Sequence, residues 1–139
     1  MGPRIERLKT RPDFLRVAST RKKWAAPGLV LQARSHPADD ETPRTGGFLR
    51  VGFTVSKKVG NAVQRNRAKR RLRAIAGEIL PHHAIGGFDL VIIGRRTTLT
   101  RSYAKLAGDL IKALNKLGIA VPDQTGDASG SGAQEREAQ

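Results

Sequence analysis

From Ser56 to Arg73 the chain reads SKKVGNAVQRNRAKRRLR, with eight basic side chains and no acid in one turn and one candidate helix. Such a segment can fold against a core only through a narrow apolar stripe that keeps every cation outward. At 100° per residue, Ala68, Leu72, Ile75, Ala76 and Ile79 form that stripe, Arg67 and Arg71 flank it, and Asn66, Lys69, Arg70 and Arg73 spread over the other side. Arg65 falls close to the apolar sector and is expected to reach across the sheet edge. A merely solvated face would interleave Glu with Lys for i,i+4 support, and from Thr42 to Gly77 there is neither Asp nor Glu. Charge this one-sided repels itself unless a partner neutralises it, so the surface is built for a polyanion.

The whole chain agrees. In 139 residues, 26 Lys and Arg oppose 12 Asp and Glu, a net charge of +14. That balance points to nucleic acid or an anionic surface. No apolar run approaches the roughly 18 residues that span a bilayer, and MGPRIERLKT has no apolar core of a signal peptide. A cytoplasmic setting without membrane attachment is therefore expected. The absence of cysteine removes disulfides, zinc-thiolate sites and thiol nucleophiles together. With only 4% aromatic residues, the core must be mostly aliphatic.

Three regions are expected: a basic N-terminal arm over 1–9, one domain over 10–121, and a disordered tail over 122–139, where DQTGDASGSGAQEREAQ has no hydrophobic periodicity. Thr10 and Asp13 resemble a capping box opening a helix from about Arg11 to Ser19, with Pro12 in the first turn. Leu29 to Arg34 and Phe48 to Val55 alternate as strands. In the second, Leu49, Val51, Phe53 and Val55 take one face and Phe48, Arg50, Gly52 and Thr54 the other. A weak third strand lies near Trp24, and SHPADDETPRTGG is a loop. The basic helix should run from about Asn61 to Leu80 and stop before Pro81. FDLVIIGR, from Phe88 to Arg95, reads as a buried strand. Thr100 then caps a last helix with Tyr103, Leu106, Leu110, Leu114 and Leu117 on one stripe and Gly118 past its end.

The run VGFTVSKKVGNAVQRNRAKRRLR, with RPDFLRVAS before it and FDLVIIGRR after it, resembles the bacterial ribonuclease P protein subunit over roughly Leu8 to Leu117. The resemblance implies an α/β fold, a compact two-layer sandwich of order αβββαβα like ribosomal S5 domain 2, with a left-handed βαβ crossover carrying the basic helix. It also implies a partner in ribozyme catalysis. The catalytic RNA and its Mg²⁺ remove the 5′ leader of precursor tRNA, and the protein binds that RNA and the leader.

On the matching positions, Ser56, Lys57, Lys58, Asn61, Arg65, Asn66, Arg67, Lys69, Arg70 and Arg73 would contact RNA. Arginine suits the task because its planar fork grips phosphate bidentately. Free backbone N–H groups in the turn Ser56 to Gly60 would add to the site. Arg11, Phe14 and Arg50 would meet the leader, with Phe14 as a stacking platform. The chain departs from the family pattern at Ala18 and Gln32, where many relatives carry an aromatic.

No residue of the protein is expected to be catalytic or to bind a metal. Asp13, Asp39, Asp40, Glu41, Glu78, Asp89 and Asp109 are scattered, and adjacent His82 and His83 do not converge easily on one ion. A ribosomal or other structural RNA-binding protein is the alternative, and a free-standing ribonuclease is disfavoured by the same scatter of acids.

Overall fold

A computed structural model of the chain describes residues 4–20, 22–35 and 48–121. Most of the acidic loop and the whole tail lie outside them. Five strands form one mixed sheet: β1 (Arg4–Arg7), β2 (Lys23–Ala25), β3 (Leu29–Ser35), β4 (Phe48–Thr54) and β5 (Phe88–Gly94), in spatial order β1-β4-β5-β3-β2. The pairs β1/β4 and β4/β5 are parallel, while β5/β3 and β3/β2 are antiparallel. The helices are α1 (Arg11–Ala18), α2 (Ala62–His83), α3 (Arg96–Thr100) and α4 (Tyr103–Lys116), with a short 3-10 turn at Lys57–Val59. No described helix is long and apolar enough to cross a membrane.

The sheet separates two cores. Leu29, Leu31, Ala33, Leu49, Val51, Leu90 and Ile92 pack with Leu72, Ile75, Ile79 and Leu80 of α2 and with Leu106, Leu110 and Leu114 of α4. On the opposite face Leu8, Val17 and Val91 form a smaller cluster with Phe14 and Ile93. Both faces of β5 are covered, which is why its sequence is apolar apart from Asp89.

The basic helix buries Ala68, Leu72, Ile75, Ala76 and Ile79, the stripe read from periodicity, together with Leu80. Its start is set by reciprocal capping: Gln64 N–H donates to Asn61 Oδ1 and Asn61 N–H donates to Gln64 Oε1, both at 2.9 Å. Just before it, Gly60 sits at φ 154°, and a Cβ there would collide with the Gln64 side chain.

Four local expectations need correction. First, residues 4–7 are no free arm but a parallel edge strand on β4. Second, α2 continues through Pro81 to His83. The missing N–H costs one hydrogen bond, to the carbonyl of Gly77, and Gly77 is exposed, so water can take its place. Third, Thr100 ends α3, and the cap of α4 is Ser102, whose Oγ accepts from Lys105 N–H at 3.2 Å. Fourth, Tyr103 stays outside the core, 42% exposed, and donates its hydroxyl to Glu78 Oε1 at 2.6 Å. That bond raises the pKa of the phenol above its ordinary value.

Candidate nucleic-acid interface

The turn before α2 presents Lys57 and Lys58 to solvent. Its backbone is already engaged: Lys58 N–H donates to Ser56 Oγ, Val59 N–H to Ser56 O and Gly60 N–H to Lys57 O, at 3.3, 3.1 and 3.2 Å. With Asn61 N–H given to Gln64, four successive N–H groups of the turn are taken up internally, and its exposed lysine side chains are what it chiefly offers a phosphate. Arg96 braces it by donating Nε to Lys58 O at 2.8 Å.

Along α2 the cations divide by role. Asn66, Arg67, Arg70 and Arg73 are exposed, and Arg65 and Lys69 are half-buried. Arg65 does not cross the sheet edge; it turns back and donates to Gly60 O at 2.8 Å, tying the helix to its own entry turn. Arg73 lies over the Phe53 ring, 5.9 Å from its centroid. Arg71 faces inward and donates to the carbonyls of Thr98, Leu99 and Arg101 at 2.8, 2.9 and 2.6 Å, closing the end of α3. It belongs to the scaffold, whereas Arg67, on the same flank of the apolar stripe, stays exposed.

The described acids are engaged away from these cations. Glu6 pairs with Arg4, Asp13 with Arg16 and Arg50, Asp89 with Arg50, and Asp109 with Arg101, while Glu78 accepts from Tyr103. The outward face of α2 is therefore left positively charged, and a polyanion is its complement.

A second surface lies across the sheet. Phe14 is half-buried on α1 and rests directly on the backbone of Gly52, where any Cβ would overlap its ring. Only glycine lets the ring approach β4 so closely. Arg11 is exposed in the first turn of α1. Ala18 is exposed at its end, and Gln32 is half-buried on β3. Thr20 Oγ1 donates to Ala33 O at 2.9 Å and anchors the end of this segment to β3.

Arg50 stands on the same side but is already partnered. It donates to both carboxylate oxygens of Asp89, at 2.9 and 2.7 Å, and approaches Asp13 Oδ2 at 3.4 Å. The bond to Asp89 raises its pKa against the opposing effect of burial. Around Asp13, burial pulls the pKa upward, but the Thr10 hydrogen bond and the charges of Arg50 and Arg16 outweigh it and hold the carboxyl below its ordinary value. Arg50 thus links α1, β4 and β5, and two carboxylates offset its charge. Among the described residues, no three His, Cys, Asp or Glu side chains come together as a metal site.

The chain as a whole is similar to known proteins. The family model for ribonuclease P matches residues 2–118. The ribonuclease P protein component of Paramagnetospirillum magneticum is 57% identical over 118 residues, covering 85% of this chain and 86% of that one. That of Gluconacetobacter diazotrophicus is 49% identical over 119 residues, covering 86% and 97%. Among solved structures, a mutant of the Staphylococcus aureus RNase P protein is similar with a TM-score of 0.64 and 26% identity, covering 81% of this chain and 88% of that one. The Thermotoga maritima RNase P protein follows with 0.61 and 28%, covering 81% and 94%. With a match across nearly all its described residues and relatives of this identity, the chain belongs to the ribonuclease P protein family.

Proposed function

We propose that the chain serves as the protein subunit of ribonuclease P in the cytoplasm, assisting Mg²⁺-dependent removal of the 5′ leader from precursor tRNA. The observation that carries this reading is the outward face of α2, whose cations have no acid among them while the described acids are occupied elsewhere. Ser56, Lys57, Lys58, Asn61, Arg65, Asn66, Arg67, Lys69, Arg70 and Arg73 make up the surface for the catalytic RNA. Its guanidinium groups grip phosphate bidentately, and binding releases counterions, so affinity falls steeply with salt.

The leader takes the α1 side of the sheet, with Phe14 as a stacking surface and Arg11 as a nearby charge. Arg50 helps there chiefly by holding α1 and β5 in place. Chemistry belongs to the RNA, which would also hold the Mg²⁺ ions.

The test is reconstitution with the RNA subunit and a precursor tRNA over a range of Mg²⁺. The protein alone should cleave nothing, and with its RNA it should lower the Mg²⁺ requirement and favour substrates that carry a leader. Correct cleavage by RNA-free protein would overturn the division of labour. No effect on the ribozyme would leave a structural RNA-binding protein.

A further inference from the structure

A cleft of about 550 Å³ opens between β1, β4 and α2, lined by Ile5, Arg7, Phe53, Arg73, Gly77 and Leu80 among others. Its existence depends on the edge strand. The register Ile5↔Leu49 and Arg7↔Val51 puts Ile5 and Arg7 on the side of the sheet that Leu49 and Val51 turn toward the main core. Ile5 nevertheless remains 39% exposed, and Phe53 is only half-buried beneath Arg73. The site thus combines an apolar floor, an aromatic ring and two guanidinium groups, and Glu6, the acid among its lining residues, is paired with Arg4. A ligand matching it needs a flat, largely apolar body with a negative charge attached.

A nucleotide has that composition. Arg70, Arg73 and Gly77 follow one another at i, i+3 and i+7 and so share one stripe of α2. An RNA backbone tracking Arg70 and Arg73 arrives at the mouth of the cleft. A base can enter only if it is unpaired, because a base in a helix is stacked on its neighbours and cannot turn its face to a protein ring.

We propose that this cleft receives one unpaired nucleotide of the catalytic RNA, its base against Phe53 and Ile5 and its phosphate between Arg7 and Arg73. The proposal rests on the reading of α2 as the face for that RNA, and it adds a site for a base where the rest of the helix holds phosphates.

Gly77 makes it testable, since a Cβ built there has no atom within 4 Å. Gly77→Leu therefore projects into open space and also favours the helix. With the full chain and the ribonuclease P RNA at matched salt, Gly77→Leu should weaken assembly about tenfold, the scale of one lost base stack. It should also expose to base-modifying reagents a nucleotide that the unaltered protein protects, whereas Gly77→Ala should change neither. Circular dichroism and melting temperature report on folding.

As a second readout, Gly77→Cys introduces the sole thiol of a chain that has no cysteine. Carrying a photoreactive label, it should crosslink to a discrete site on the RNA. If Gly77→Leu assembles and protects like the unaltered protein while an Arg65→Ala/Arg67→Ala variant loses affinity, α2 holds RNA but the cleft does not, and the proposal fails. If neither set weakens binding, the RNA face on α2 is itself wrong. Crosslinks to a second protein chain, with none to RNA, would overturn the proposal in favour of a protein partner.

Discussion

Arg50 and Asp89 face each other as register partners on adjacent parallel strands and are joined by two hydrogen bonds, Nε to Oδ1 at 2.9 Å and Nη2 to Oδ2 at 2.7 Å. Asp89 is 1% exposed, so the guanidinium is the counter-charge to a carboxylate held inside the fold. Arg50→Ala should lower stability by on the order of 3 kcal/mol in urea unfolding, the scale expected when one partner of a largely buried pair is removed. Its effect on the salt dependence of RNA binding should be small. If the slope of log affinity against log salt drops as far as it does for Arg67→Ala, Arg50 contacts phosphate directly.

Asp13 predicts an acid limb. Its pKa is held below the ordinary 3.8, so in the folded protein it stays ionised where the unfolded chain would already take up a proton. Its contribution to stability is complete above that ordinary value and is lost as pH falls through the folded value. Asp13→Asn should flatten this part of the curve, measured as urea midpoints from pH 5 down to pH 2. An unchanged acid limb would assign the pH dependence to other carboxylates.

Phe14 and Gly52 should behave as one unit. Gly52→Ala forces the ring off β4, and it should lower the melting temperature and weaken leader-bearing precursor tRNA together. Phe14→Ala should weaken such substrates by about 1–3 kcal/mol while barely affecting mature tRNA. Equal weakening of both, or a stability loss with discrimination intact, would make Phe14 a packing residue only.

Arg67 and Arg71 lie one turn apart on α2 and should separate binding from stability. Arg67 is exposed, and Arg67→Ala should weaken RNA binding by about 1–3 kcal/mol with an unchanged melting temperature. Arg71→Ala removes bonds to three carbonyls and should unfold the α3 region more readily. Paired titrations and thermal melts check this. Equal loss of RNA affinity in both variants would place Arg71 in the interface.

Several parts of the fold were legible because a local rule governs them. The face of α2 followed from the spacing of its Leu, Ile and Ala residues, and β5 followed from an apolar run that demands cover on both sides. The opening of α1 was readable for the same reason: Asp13 N–H donates to Thr10 Oγ1 at 3.3 Å, a contact made within one turn.

Where local signals compete, proximity in sequence does not settle the outcome. Thr100 and Ser102 are both acceptable caps, and Ser102 caps α4 in a structure where Arg71 holds the end of α3 and Arg101 reaches Asp109 at 2.7 Å. The sequence RIER is four residues long and mostly charged, and it becomes a strand only because β4 presents a parallel edge to it.

The sequence by itself determined a helix with one apolar stripe and an acid-free cationic stretch from Arg65 to Arg73, because charge and 3.6-residue spacing act over a few turns. Only the tertiary structure decided which cations remain for a partner. Arg50 and Arg71 are committed to Asp89 and to the carbonyls around Thr98, Arg65 gives one N–H to Gly60 O and keeps the rest of its fork, and Arg67 and Arg70 remain exposed. Arg50 and Arg71 meet groups 39 and 27 residues away, and a guanidinium is committed by whichever carboxylate or carbonyl the folded chain brings within hydrogen-bond reach.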